Sequence, residues 1–293
     1  MPSERQGFRR RRILSSLYLL YNAPCFYVEQ DMMENGKTVP RWRFALKSAG
    51  WHLLISLSVA GLAALLVFKV WYPYPYAELT GGLSLYQLVV AVDIVCGPLL
   101  TLILASPKKK TKARMVDFSM VGIIQLAALV YGLHSVSLAR PVVEAFEQDR
   151  MTIVTAAEVV VEDLHKAPEG LQSLSWFGIR RIALKEPEDA DEKNKTLDLS
   201  LKGIEPSMRP DRWLPYSDKE AEKIRKHLKP LKVLADARKT TVADILKQAG
   251  LAEGEELYYL PFTSSRQKEW IVITDKEGNT KGYAPIDGFI ITP

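Results

Sequence analysis

Three long apolar runs occupy residues 51–72, 83–105 and 115–138, and charged residues fall almost entirely outside them. A helix needs about 20 apolar residues to cross the hydrocarbon of a bilayer, and each run supplies that length. The pattern therefore predicts three transmembrane helices. Lys69 is the only charge in the first run, close enough to one end for its stem to reach the interface. Trp71, Tyr72, Tyr74 and Tyr76 form an expected aromatic belt at that end, with Trp51 at the other. Ser56, Ala60 and Ala64 recur at every fourth position, a row of small residues that permits close helix approach. Ala128 and Gly132 have the same spacing in the third run. Gly81 and Gly82 mark a tight turn before the second run, and Gly97-Pro98 predicts a kink within it.

From Arg140 the pattern changes. Residues 151–161 and 179–184 have the β-branched content of strands. Residues 185–196 read as a charged loop containing Pro187, and Pro206, Pro210 and Pro215 punctuate another irregular stretch. Ser217 with Glu220 has the form of a capping box opening a helix towards Pro230. Thr241 with Asp244 opens another, which Gly250 closes. Residues 257–260 read as a short strand ended by Pro261. Residues 270–274 and 280–284 flank a five-residue hairpin loop. The expected fold class is an integral membrane α-helical part with three transmembrane helices, followed by a C-terminal α+β domain over residues 140–293.

Charge assigns the sides. Arg41, Arg43 and Lys47 precede the first run, and Lys108, Lys109, Lys110, Lys112 and Arg114 lie between the second and third. The connection of residues 73–82 has no basic residue. Lysine and arginine accumulate on the cytoplasmic side of inner-membrane proteins. This predicts a cytoplasmic tail over residues 1–50 and a periplasmic domain over residues 140–293. Residues 1–114 carry 15 Lys/Arg against 6 Asp/Glu, and residues 140–293 carry 24 against 27. The net charge of +5 thus belongs to the segments that set orientation, and argues against nucleic acid as a partner. Near the start, Arg9–Arg12 followed by the apolar stretch 13–27 has the outline of a signal peptide. Asn22 and Pro24 interrupt it and no small-x-small site follows cleanly, so an interfacial or cytoplasmic tail is expected. A start at Met32 or Met33 is the alternative.

Little of the chain has the form of catalytic machinery. Cys25 and Cys96 fall on different sides of the expected membrane boundary and are not expected to pair. No Cys-x-x-Cys, Gly-x-Ser-x-Gly, His-Glu-x-x-His or phosphate loop is present, so no catalytic residue, metal or cofactor is assigned. Ser264-Ser265 with Lys268 has generic spacing and reads as a surface loop. His165 and His227 stand without a motif. Asp93 is different. A carboxylate in mid-bilayer is costly, and such a group faces protein or water. It is read as a polar anchor for another membrane helix, or as a packing residue bonded within the bundle to Gln125 or His134. Beside it, Pro98 frees a carbonyl in the preceding turn, and with Gly97 makes a hinge, a notch or a static kink.

Several of these residues together carry a resemblance. Trp71-Tyr72-Pro73, Gly81-Gly82, and Asp93 followed by Gly97-Pro98-Leu99-Leu100-Thr101-Leu102 resemble the type IV pilin accessory proteins, the TfpX/TfpZ group. The likeness continues through Gln125–Leu129 and Gly132, then Ala139-Arg140-Pro141, Phe146 and Asp149-Arg150. It covers roughly residues 42–155, with Leu260-Pro261 and the Gly278 hairpin as later landmarks. The resemblance implies a bacterial inner-membrane protein without enzymatic activity that keeps major-pilin subunits usable before assembly, as a chaperone-like partner. The implied partners are the pilin, through its membrane helix or head, and the lipid bilayer. The candidate partner-binding or intramembrane polar residues are Asp93, Gly97, Pro98, Gln125, Arg140, Asp149 and Arg150.

Two other classes compete with this reading. A membrane-anchored sensor with a periplasmic ligand-binding domain has the topology, but the cytoplasmic side offers only a tail and a short loop. A membrane enzyme finds no catalytic constellation.

Overall fold

The computed structural model describes residues 40–252, 254 and 256–290. The Arg9–Arg12 cluster, the apolar stretch 13–27, Cys25 and the alternative starts Met32 and Met33 lie outside the described residues.

Helix α1 (Arg41–Leu66) opens directly after Pro40 and continues through a wider π turn, Val67–Trp71. There the Tyr72 N–H reaches back to the Val67 carbonyl at 2.8 Å. Pro73 ends it, because the residue before a proline is pushed out of the helical region, and Tyr72 sits at φ −130°. The helix starts well before the apolar run because Arg41–Lys47 includes good helix formers. Helix α2 (Gly82–Leu104) and helix α3 (Thr111–Leu138) follow. All three are long and apolar enough to cross a membrane, by length and composition.

The described chain divides into two compact units. One takes α1 to Leu65 and the stretch Ser84–Ser135; the other takes Leu66–Leu83 and everything from Val136. In the helical unit, Phe44, Ala45, Ala105 and Phe118 close the basic end, with the Arg114 guanidinium 5.4 Å from the Phe44 ring centre. Arg41 Nη2 donates to the Ile103 carbonyl at 3.1 Å. That carbonyl belongs to the last turn of α2, where intrahelical donors run out. Gly132 is needed for contact: a Cβ there would lie 2.6 Å from Val89 Cγ1. Ala128 is exposed, as are large apolar side chains such as Leu62, Leu88 and Ile123. An apolar surface of that kind suits lipid and not water.

The second unit is α+β, built on a mixed sheet. Among the described residues its strands are β1 (Pro141–Glu147), β2 (Arg150–Thr155), β3 (Arg180–Leu184), β4 (Trp213–Pro215), β5 (Lys229–Pro230), β6 (Tyr258–Ser264), β7 (Trp270–Thr274) and β8 (Thr280–Ala284). The order is β4-β3-β1-β2-β6-β7-β8, with β5 also on β6. β1/β3 and β2/β6 are parallel and the other pairs antiparallel. Helices α4 (Ala190–Leu201), α5 (Asp218–His227), α6 (Leu231–Arg238) and α7 (Val242–Ala249) also belong to the unit.

Several expectations change. Strand β1 is not among the strands expected from sequence: all seven of its residues are buried, so it has no polar alternation to reveal it. The second half of the expected loop 185–196 is helix α4, whose Asp189 side chain caps the Glu192 N–H at 2.7 Å. Pro261 does not end β6. It sits between the ladder to β5, at Tyr258 and Tyr259, and the ladder to β2, which starts at Phe262. That junction is where a missing N–H is tolerated. Ser217 does stand before α5, but its side chain makes no cap, and Glu220 turns inward and is buried. Thr241 caps α7 through the Asp244 N–H at 3.1 Å, and Gly250 closes it at φ +68°.

The connection after α1 belongs to the sheet unit. Tyr76 and Leu79 share a core with Phe146, Ile153, Phe262 and Val272. Ser264 Oγ donates to the Leu79 carbonyl at 2.6 Å. Tyr72 is also buried, with its hydroxyl on the Val136 carbonyl at 2.6 Å and its ring filling the space that a side chain on Gly82 would need. Tyr72 and Tyr76 are therefore core residues and leave the expected belt, whereas Tyr74 is exposed.

Candidate functional site

The polar side chains of the helical unit converge on one place. Gln125 of α3 extends its amide towards the other two helices. Its Nε2 donates to the Asp93 backbone carbonyl at 2.9 Å and to Ser56 Oγ at 3.5 Å. Its Oε1 accepts from His52 Nε2. His52 Nδ1 meets Thr101 Oγ1 at 2.5 Å. An amide oxygen only accepts, so the imidazole donates from Nε2; in the neutral ring the Thr101 hydroxyl then donates to Nδ1. His52 comes from α1, Asp93 and Thr101 from α2, and Gln125 from α3. His52, Ser56 and Thr101 are buried. The result is a hydrogen-bonded clasp of three helices in an otherwise apolar bundle. Such bonds are typically worth about 0.6 kcal/mol each in membranes, up to about 2.

Gly97 makes the clasp possible. A Cβ at that position would overlap the Gln125 amide. Pro98 follows within an unbroken α2, and the carbonyl it deprives of a donor is that of Ile94. The Gln125 bond falls one residue earlier, on Asp93. The Asp93 carboxylate, near the middle of α2 and half-buried, takes no part in the clasp and has no hydrogen-bond or ion-pair partner among the described residues. The structure thus brings Asp93, Gly97 and Gln125 together, though through the Asp93 backbone. His134 is exposed on α3.

The remaining candidates lie in the sheet unit. Arg140 is buried, with Nη1 donating to the Ser137 carbonyl at 2.5 Å and Nε and Nη2 each 3.2 Å from the Ser175 carbonyl. Gln148 and Asp149 form the two-residue turn between β1 and β2, with Gln148 at φ +59°; Arg150 opens β2, and its ion pair with Asp149 is a loose 3.8 Å. His52 and Thr101 are not among the candidates that the sequence points to. A histidine in an apolar run, with a hydroxyl and an amide in the two others, is the signal that could have found them. Ser264, expected in a surface loop, is a buried structural hydroxyl; His165 and His227 bond to carbonyls of their own turns. Among the described residues, no group of three or more His, Cys, Asp or Glu is placed to hold a metal ion.

Comparison with known proteins places this architecture. Residues 40–81, which cover α1 and the connection after it, match the family model described as fimbrial assembly protein FimB. The fimbrial assembly protein of serogroup I from Dichelobacter nodosus is 38% identical over 253 residues, 85% of this chain and 98% of that relative. The serogroup E1 protein of the same organism has the same identity and coverage. The protein of serogroups C1 and C2 is 44% identical over 127 residues, 43% of this chain and 97% of its own length. No solved structure matches the chain. The similarity therefore reaches well past residue 155, into the sheet unit where the sequence resemblance was thin. With almost the full length of two such proteins aligned to it, this chain belongs to the fimbrial assembly protein family, and its role lies in pilus assembly.

Proposed function

We propose that the protein is an inner-membrane accessory of pilus assembly that holds pilin subunits in the bilayer, chaperone-like, before they are built into the pilus. In this reading the three helices span the membrane with the N-terminus in the cytoplasm and residues 140–293 in the periplasm. The charge distribution around the helices supports that orientation. The observation that carries the reading is the Asp93 carboxylate. The polar side chains of the clasp are committed to each other, and Gln125 engages only the Asp93 backbone. A carboxylate in a span without a partner of its own is suited to a cationic group brought by another membrane helix. A pilin subunit waiting in the bilayer, with a free amino end and a buried carboxylate on its helix, has such a group to shelter. The sheet unit would cover the pilin head and shield unpaired edges from aggregation or proteolysis. Arg140, Asp149 and Arg150 lie in that unit.

The test is Asp93→Asn and Asp93→Leu in the full chain, reading the steady-state pilin level and the pilin retained on the protein from solubilised membranes. Both should fall in both variants, more in Asp93→Leu, because asparagine still accepts a hydrogen bond. Unchanged levels and unchanged retention in both would remove Asp93 from pilin binding.

A further inference from the structure

A second feature lies at the end of the first apolar helix. Trp71, the last residue of its π turn, has its ring centre 6.4 Å from that of Trp176. Arg140, just past the end of α3, lays its guanidinium 4.4 Å from the Trp176 ring centre while holding the Ser175 and Ser137 carbonyls. The loop around Trp176 is braced from within. Ser175 Oγ donates to the Phe177 carbonyl at 2.6 Å and accepts from the Phe177 N–H at 3.2 Å. Arg180 Nη1 donates to the carbonyls of Gly170 and Ser173 at 2.8 and 2.9 Å. Leu171 and Leu174 pack inward against the cluster of Val142, Val154 and Ile182. The next two large side chains turn outward: Trp176 is 58% exposed and Phe177 78%. Residues 170–179 carry no charge, and Arg180 and Arg181 follow directly.

We propose that the Trp176–Phe177 loop is a membrane-interface anchor that inserts its rings at the headgroup–acyl boundary of the lipid bilayer. Lipid is the occupant because the patch is continuous with the ends of two apolar helices. Trp71 and Leu138 close α1 and α3 and lie in the same compact unit as the loop. Rings with an apolar body and a wet edge are favoured at that depth. A braced loop also loses little conformational freedom when its rings leave water. Tyr74, in the same connection as Trp71, is 59% exposed. The anchor replaces, from the sheet unit, the two belt positions that Tyr72 and Tyr76 vacate by turning into the core. It rests on the proposal that the three helices span a bilayer.

The experiment uses the full chain in vesicles of phosphatidylethanolamine and phosphatidylglycerol, with an environment-sensitive nitrobenzoxadiazole label on single cysteines. Three positions are read: Phe177→Cys and Lys276→Cys, each with Cys25→Ser and Cys96→Ala, and native Cys96 with Cys25→Ser. Lys276 sits in the loop at the far end of β7 from Trp270, which packs against Tyr74. The label at Phe177 should emit to the blue of the label at Lys276. It should be quenched by lipid spin-labelled near the headgroup, and cysteine there should react several-fold more slowly with a soluble maleimide. Cys96 should be quenched best by lipid spin-labelled deep in the chain. Phe177 emission equal to that of Lys276 and without lipid quenching, while Cys96 is quenched, overturns the anchor alone. Loss of quenching at Cys96 overturns the spanning of the helices, and the anchor with it. A blue shift at Phe177 that needs added pilin and shows no lipid quenching gives the patch to protein, and also overturns the proposal.

Discussion

Gly97 and Gln125 share one packing site: the amide of Gln125 lies where a Cβ on Gly97 would be. A residue without a side chain on α2 thus lets a long polar one from α3 cross to His52 on α1 and to the Asp93 carbonyl. In Gly97→Ala the amide is displaced from both partners, and overpacking of this kind costs about 1–3 kcal/mol. Thermal unfolding in detergent should show a lowered midpoint. Gly61→Ala is the control, since nothing lies within 4 Å of its added Cβ, and it should be neutral or stabilising.

His52→Leu and Gln125→Leu each break the clasp, and the second substitution then has less left to break. Reversible unfolding in detergent of the two single variants and the double should give a coupling of about 0.6–2 kcal/mol. Additive losses would mean that the two side chains act independently.

Ser264 ties the connection after α1 to the end of β6. Its hydroxyl donates to the Leu79 carbonyl and accepts from the N–H groups of Arg266 and Gln267 at 3.1 and 3.0 Å. Ser264→Ala leaves those groups without that partner, a loss of about 1–3 kcal/mol for buried polar atoms. Limited proteolysis should then cut faster between Pro73 and Gly82. Ser265→Ala, at an exposed position, should cut as the native chain does.

The β7–β8 hairpin has a carboxylate whose charge favours folding. Hydrogen bonding from the Asn279 side chain, with the Asn279 N–H and Lys281 adding to it, holds the Asp275 carboxyl at about 2. An unfolded aspartate titrates near about 3.9. The folded value is the lower one, so the stabilisation is complete above about 4 and is lost as pH falls through about 2. Denaturation midpoints followed from neutral to strongly acidic buffer should fall less steeply on the acid side in Asp275→Asn than in the native chain.

How much of the molecule is legible in the sequence differs from element to element. The hairpin of Trp270–Thr274 and Thr280–Ala284 matches the expected strands residue for residue, because period, turn composition and Gly278 all act within a few neighbours. The α7 caps, Thr241 and Gly250, are equally local. Strand β1 is not legible, since its burial on both faces comes from partners distant in the chain. Helix α4 has no buried residue and so no apolar stripe to announce it; its leading local signal is the Asp189 cap. At the candidate site, Gly97, Asp93 and Gln125 are visible as unusual residues in apolar runs. That Gln125 would engage the Asp93 backbone and reach His52 depends on the azimuth and register of three helices.

The sequence by itself determined the three apolar helices, the α+β character of the C-terminal part and membership in a pilus-assembly family. Helix length, hydropathy and short motifs are properties of consecutive residues, and they survive without knowledge of the partners. Tertiary structure decided which polar atoms meet, that the segment Leu66–Leu83 packs with the sheet, and that Tyr72 and Tyr76 turn into its core while Trp176 and Phe177 turn out. Those outcomes depend on contacts between residues tens to hundreds of positions apart, and no local pattern encodes which of many apolar surfaces a given side chain will find.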